Sequence, residues 1–117
     1  MLRDYLTKRK FEPDPLGMIN FELTERLNSA LINVMCCCGR ICFKEGKREN
    51  PDHSIIEKYD LLATEAVNVR NGHRTFDTYD RMRKLIKKYS LKLRRAERFE
   101  EEKYDDYAGN KVGEVTE

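Results

Sequence analysis

Three stretches of this chain repeat apolar residues at alternating spacings of three and four, the period of one helical face. In the first, Leu23, Leu27, Ala30, Leu31, Val34, Met35 and Cys38 fall on one side. Asn20 ahead of them can accept orphan backbone N–H groups, and Glu22 and Glu25 sit at the positive end of the helix dipole. The pattern predicts a helix over 20–38 closed by Gly39. In the second, Ile55, Tyr59, Leu62, Ala66 and Val69 form a stripe that Ile56, Ala63 and Val67 widen into a core-facing band. Ser54 followed by Glu57 reads as a capping box and Asn71-Gly72 as a stop, giving a helix over 54–70. In the third, Tyr79, Met82, Ile86, Tyr89, Leu93 and Ala96 make a coiled-coil-like seam within a long helix over 75–104.

The intervening segments lack such a period. Pro13, Pro15 and Gly17 break the stretch 1–19, which carries Lys8-Arg9-Lys10 and reads as a mobile arm. Residues 39–53 read as a connector whose Ile41-Cys42-Phe43 triplet is a short strand or an anchor onto a helix. Residues 105–117 read as an acidic disordered tail. The expected fold is mainly α: a small three-helix domain over 20–104, with a long basic C-terminal helix and disordered termini. Leu23, Leu27, Leu31, Ile55, Tyr59, Leu62, Ala66, Met82, Ile86 and Tyr89 are the expected core. The distal half of the third helix, Lys87 to Arg98, is expected to project beyond it, leaving Leu91 and Leu93 partly uncovered and favouring a homodimer.

Charge changes this picture more than size does. The chain has 117 residues, enough for one domain, and its net charge of +2 conceals a composition that is 38% charged. No run approaches the roughly 20 apolar residues that span a bilayer, and the first residues do not resemble a secretory signal, so a soluble intracellular protein is expected. Residues 81–98 hold nine Lys/Arg against Glu97 alone, a local charge of +8, whereas residues 1–80 sum to −1 and residues 99–117 to −5. On a helix this basic segment spans about 27 Å and is a footprint for polyanions. Arg83, Lys84, Lys87, Lys88, Lys92, Arg94, Arg95 and Arg98 are the candidate partner- or nucleic-acid-binding residues. Tyr79, Tyr89 and Phe99 lie among them, either to stack on bases or to fill the seam. The acidic tail is a further candidate, as an internal screen of the cations.

Cys36, Cys37, Cys38 and Cys42 are too clustered for a disulfide framework. As reduced thiols they serve as small apolar residues at a helix end. Zinc held by Cys36, Cys38, Cys42 and His53 is the alternative, although the spacing matches no common finger. Lipidation of Cys36–Cys38 beside Arg40 and Lys44 is another. His53 and His73 stand beside no evident nucleophile, and no phosphate loop, serine elbow or paired-histidine motif occurs, so neither catalysis nor a cofactor is expected.

Asp14-Pro15-Leu16, then Phe21 and an amphipathic helix, then Pro51-Asp52, Tyr59-Asp60-Leu61-Leu62, Val67, Val69, Arg70 and Tyr79 follow one another in an order that resembles the geminivirus precoat proteins. The resemblance covers roughly residues 14–80. It implies a pathogenicity and spread factor that suppresses host RNA silencing by binding a coiled-coil host silencing cofactor and competing for its RNA. It also implies action in the host cytoplasm, in part near the nucleus. The family's cysteines lie near its C-terminus, so no thiol role carries over to Cys36–Cys42. The alternative is a small helical nucleic-acid-binding regulator that uses the basic helix 81–98, and RNA or single-stranded DNA is the nucleic-acid partner expected of the chain.

Overall fold

A computed structural model describes Asp14 and residues 16–116, with side chains as far as Tyr104. Residues 1–13 and Pro15, most of the expected arm, lie outside the described residues. Among the described residues the fold is mainly α, with three helices and no strand: α1 (Met18–Gly46), α2 (His53–Arg70) and α3 (Tyr79–Thr116).

Local chemistry moves each start relative to the sequence expectation. α1 begins at Met18 because Gly17 adopts a left-handed turn at φ 70°, which glycine tolerates without steric cost. The acceptor at this start is Asp14, not Asn20. Its carboxylate takes the backbone N–H groups of Ile19 and Asn20, each at 3.0 Å. The phenol of Tyr79 donates to the same carboxylate at 2.8 Å, tying the start of α1 to the start of α3. The Ile19 N–H leads the contacts that hold the Asp14 pKa below its ordinary value. α2 is capped by Asp52, not Ser54: the carboxylate accepts the Ser54 N–H at 3.0 Å and the Ser54 hydroxyl at 2.6 Å. α3 begins at Tyr79, four residues later than expected, where the Thr78 hydroxyl accepts the Arg81 N–H at 3.1 Å.

The largest correction concerns Gly39, which does not end α1. A mid-helix glycine costs roughly 0.5–1 kcal/mol, whereas fully burying one large aliphatic side chain stabilises by roughly 1.5–3 kcal/mol. Ile41 beyond it is fully buried, and the helix runs on to Gly46. The expected connector over 39–53 therefore shrinks to 47–52, and Ile41-Cys42-Phe43 is helical. α3 breaks its helical geometry at Tyr104 (φ −115°, ψ 22°), where the sequence placed its end. Residues 105–116, expected as an acidic tail, continue the helix assignment past that break, and their side chains lie outside the described ones.

α1 packs along both other helices. α2 runs antiparallel to it: the Cys42 thiol meets the Ile56 carbonyl at one end, and Arg70 donates to Asn28 at 2.7 Å at the other. α3 runs parallel to α1, with Thr24 beside Met82 near its start and Arg40 and Lys44 on Glu100 near its end. Leu27, Leu31, Val34, Cys37, Cys38 and Ile41 form the fully buried spine, against Tyr59 and Ala66 of α2 and Met82, Tyr89 and Ala96 of α3. Ile55 and Leu62, placed in the core by their spacing, are only half-buried against it. The segment Lys87 to Arg98 does not project: it lies along the middle of α1, between the Thr24–Met82 contact and the ion pairs of Glu100 with Arg40 and Lys44. Leu93 is half-buried there, while Leu91 stays 41% exposed.

One buried carboxylate fastens the far end. Glu45 is fully buried and accepts the Tyr104 phenol at 2.5 Å, the Asp52 N–H at 2.7 Å and an Arg48 N–H at 3.3 Å. It joins the end of α1, the start of α2 and the break in α3. The Tyr104 hydrogen bond, against the effect of burial, holds the Glu45 pKa below its usual value.

Candidate nucleic-acid interface

The inner seam of α3 fixes where its cations point. Met82, Ile86, Tyr89, Ala96 and Tyr104 are buried, so residues half a turn away face solvent. Those residues are Lys84, Lys87, Leu91, Arg94, Arg95 and Arg98, spaced by three and four along about 21 Å of helix. All six are exposed. Leu91, Arg94, Arg95 and Arg98 enclose a shallow depression of about 200 Å³.

The eight candidate residues divide by environment. Lys87, Arg94, Arg95 and Arg98 are exposed and make no ion pair among the described residues. Lys84 reaches Asp80 at 3.6 Å while its side chain stays 79% exposed, a pair worth little in water. Lys88 approaches Glu65 of α2 at 3.7 Å and lies over the Tyr89 ring. Arg83 lies over the Tyr79 ring on the flank of the helix. Lys92 is half-buried at the side. The outer stripe thus keeps Lys84, Lys87, Arg94, Arg95 and Arg98, with Glu101 and Glu102 exposed just past its end.

The aromatic residues among the cations are not available for stacking on bases. Tyr89 is fully buried and donates to Glu65 at 2.5 Å. Burial first, and then the Glu65 carboxylate, push its phenol pKa up. Phe99 stacks on Tyr59 with ring centroids 5.2 Å apart, and the Tyr79 hydroxyl is engaged by Asp14. All three serve the seam. Leu91, expected from the sequence to be partly uncovered, is the one apolar residue among the six on the outer face.

The thiols are not gathered into one group. Cys36 is exposed, Cys37 and Cys38 are buried, Cys42 is half-buried, and His53 sits exposed at the first turn of α2. A continuous helix turns Cys36 and Cys38 to different sides, so Cys36, Cys38, Cys42 and His53 do not converge. Among the described residues no group of three metal-ligating side chains comes together. Burial pushes the Cys37 thiol up to about 11 and the Cys38 thiol up to about 12, so both stay protonated and weakly nucleophilic at neutral pH. His73 lies on the wall of a cleft of about 660 Å³ between α2 and α3, with Leu61, Val69, Arg74, Arg81 and Leu85. No helix among the described residues is long and apolar enough to cross a membrane.

Glu100 anchors α3 to α1 beneath the stripe. It receives Arg40 at 3.0 Å and Lys44 at 2.8 Å. Burial alone would raise its pKa, but these two donors outweigh burial and lower it. Two of the cations of α1 are thereby neutralised internally, whereas Lys87, Arg94, Arg95 and Arg98 of the α3 stripe make no ion pair among the described residues. Comparison with protein-family models, curated proteins and solved structures returns no match.

Proposed function

We propose that this protein acts by binding, with the outer face of α3 taking the phosphate backbone of RNA in the course of suppressing host RNA silencing. The observation that carries the binding part is the division of α3 into a filled inner seam and an outer stripe of cations, Lys87, Arg94, Arg95 and Arg98, that make no ion pair among the described residues. Such a stripe attracts a polyanion by releasing its condensed counterions and reads no sequence by itself. The silencing part is supported by the resemblance of residues 14–80 to the precoat proteins, which also supplies a coiled-coil host cofactor as the protein partner.

A leaf silencing assay tests the proposal as a whole. The intact chain restores expression of a silenced reporter, and the combined variant Lys87→Gln, Arg94→Gln, Arg95→Gln, Arg98→Gln does not. No restoration by the intact chain overturns the suppressor reading. Full restoration by the variant overturns the role of α3.

A second reading is a nucleic-acid-binding regulator of another kind. It is favoured by one observation: the stripe runs along the solvent-facing side of α3, and an α-helix has the width that enters a duplex major groove. A strong preference for one duplex sequence over shuffled controls would select it.

A further inference from the structure

α1 carries a face that neither neighbouring helix covers. Residues 27–39 contain no charged side chain in a chain that is 38% charged. Asn28, Ser29 and Asn33 keep the stretch partly polar, yet a helix side that solvent reaches ordinarily carries charge. α2 and α3 enclose only part of this stretch. Ser29, Ile32, Cys36, Gly39 and Phe43 recur at spacings of three and four along its outer side, the spacing of a helix–helix seam. Phe43 is 60% exposed, Ser29, Cys36 and Gly39 are exposed, and Ile32 is half-buried.

Gly39 sharpens the point. It sits inside α1, where glycine is destabilising relative to alanine. A Cβ built there would meet nothing within 4 Å, so the single chain gives no steric reason for glycine. A second backbone approaching closely at this position does give one.

The occupant follows from size and charge. An antiparallel second copy of α1, related by a two-fold axis at Cys36, sets Phe43 over the partner's Ser29, a large side chain against a small one, and lays Ile32 at the level of the partner's Arg40, beside its Gly39. The same axis sets Glu25 opposite the partner's Lys47, twice per pair. Both residues are exposed and make no ion pair among the described residues. A parallel pairing would instead align Glu25 with Glu25 and Lys47 with Lys47. We infer that the protein forms a two-fold homodimer through the outer face of α1, with the two helices antiparallel and crossing at Cys36. This is a different surface from Leu91 and Leu93, and it is independent of the RNA-binding proposal.

The test is sedimentation of the full chain in reducing buffer across a concentration series, with circular dichroism to check that each variant folds. The expected species has twice the 13.9 kDa chain mass. Phe43→Glu yields monomer with unchanged helicity. Glu25→Lys or Lys47→Glu alone weakens association by about fivefold or more, and the two combined recover it. Mild diamide oxidation links the dimer through Cys36, and Cys36→Ser prevents the link while leaving the sedimenting dimer intact. A monomer throughout the series overturns the proposal. So does a dimer indifferent to Phe43→Glu, a charge swap that does not recover, or a cross-link that survives Cys36→Ser.

Discussion

α1 and α3 run side by side in the same direction and bury similar inner seams, yet their outer faces are opposites. Between 27 and 39 α1 has no charge at all, whereas α3 between 81 and 98 has nine cations and one acid. Folding accounts for the inner faces, because Leu27, Leu31, Val34, Met82 and Tyr89 have no other place to exclude water. It does not account for the outer ones. Solvent would accept a mixture of charges on either helix, and the uncharged face and the cationic face are the surfaces that the proposed self-association and the proposed RNA binding would use.

Changes at the inner seams should be the most costly. Leu31→Ala, at a fully buried site, should destabilise by about 3 kcal/mol, read as a lower urea midpoint with unchanged slope. Next is the Glu45 junction. Glu45→Ala leaves the Tyr104 phenol and the Asp52 N–H without their buried acceptor and should cost about 2 kcal/mol. Tyr104→Phe removes one donor and should cost about 1 kcal/mol. The same junction sets an acid limit. Glu45 and Glu100 both have folded pKa values below the ordinary 4.5, so their contribution is complete above that value. It is lost as pH falls through 4.5 and then through the lower folded value, and Glu45→Gln should flatten this part of the thermal melting profile. The outer faces should behave in the opposite way. Arg94→Gln or Arg98→Gln should change stability by less than about 0.5 kcal/mol while reducing affinity for RNA. Gly39→Ala should stabilise the isolated fold by about 0.5–1 kcal/mol and weaken self-association, a reversal of sign that a purely structural glycine would not show.

The helices were legible in the sequence because each carries a long apolar period, and the parts that misled were those where one residue outvoted it. Gly39 resembled a stop, and nothing local shows that Ile41 and Glu45 will be buried about half a turn and nearly two turns later. Asp14 lies outside the first apolar run, and its carboxylate also takes the phenol of Tyr79, 65 positions away, a tie that no local pattern shows. Ser54 mimicked a cap although Asp52 supplies it. For the candidate interface, composition located the basic segment but could not sort it. Only the buried seam distinguishes Lys87, Arg94, Arg95 and Arg98, which face outward, from Lys88, which approaches Glu65 of α2, and Lys92, which is half-buried at the side. The same seam claims Tyr89 and Phe99, which by composition alone looked equally suited to stacking on bases.

The most direct test of the binding account is the salt dependence of affinity for a labelled RNA, measured by fluorescence anisotropy with the full chain. Five phosphate contacts, from Lys84, Lys87, Arg94, Arg95 and Arg98, predict a log–log slope of about −3.5 on a single strand. Replacing the four unpaired cations by glutamine should bring the slope to about −0.7. A slope near zero for the intact chain, or the same slope for both proteins, would contradict it.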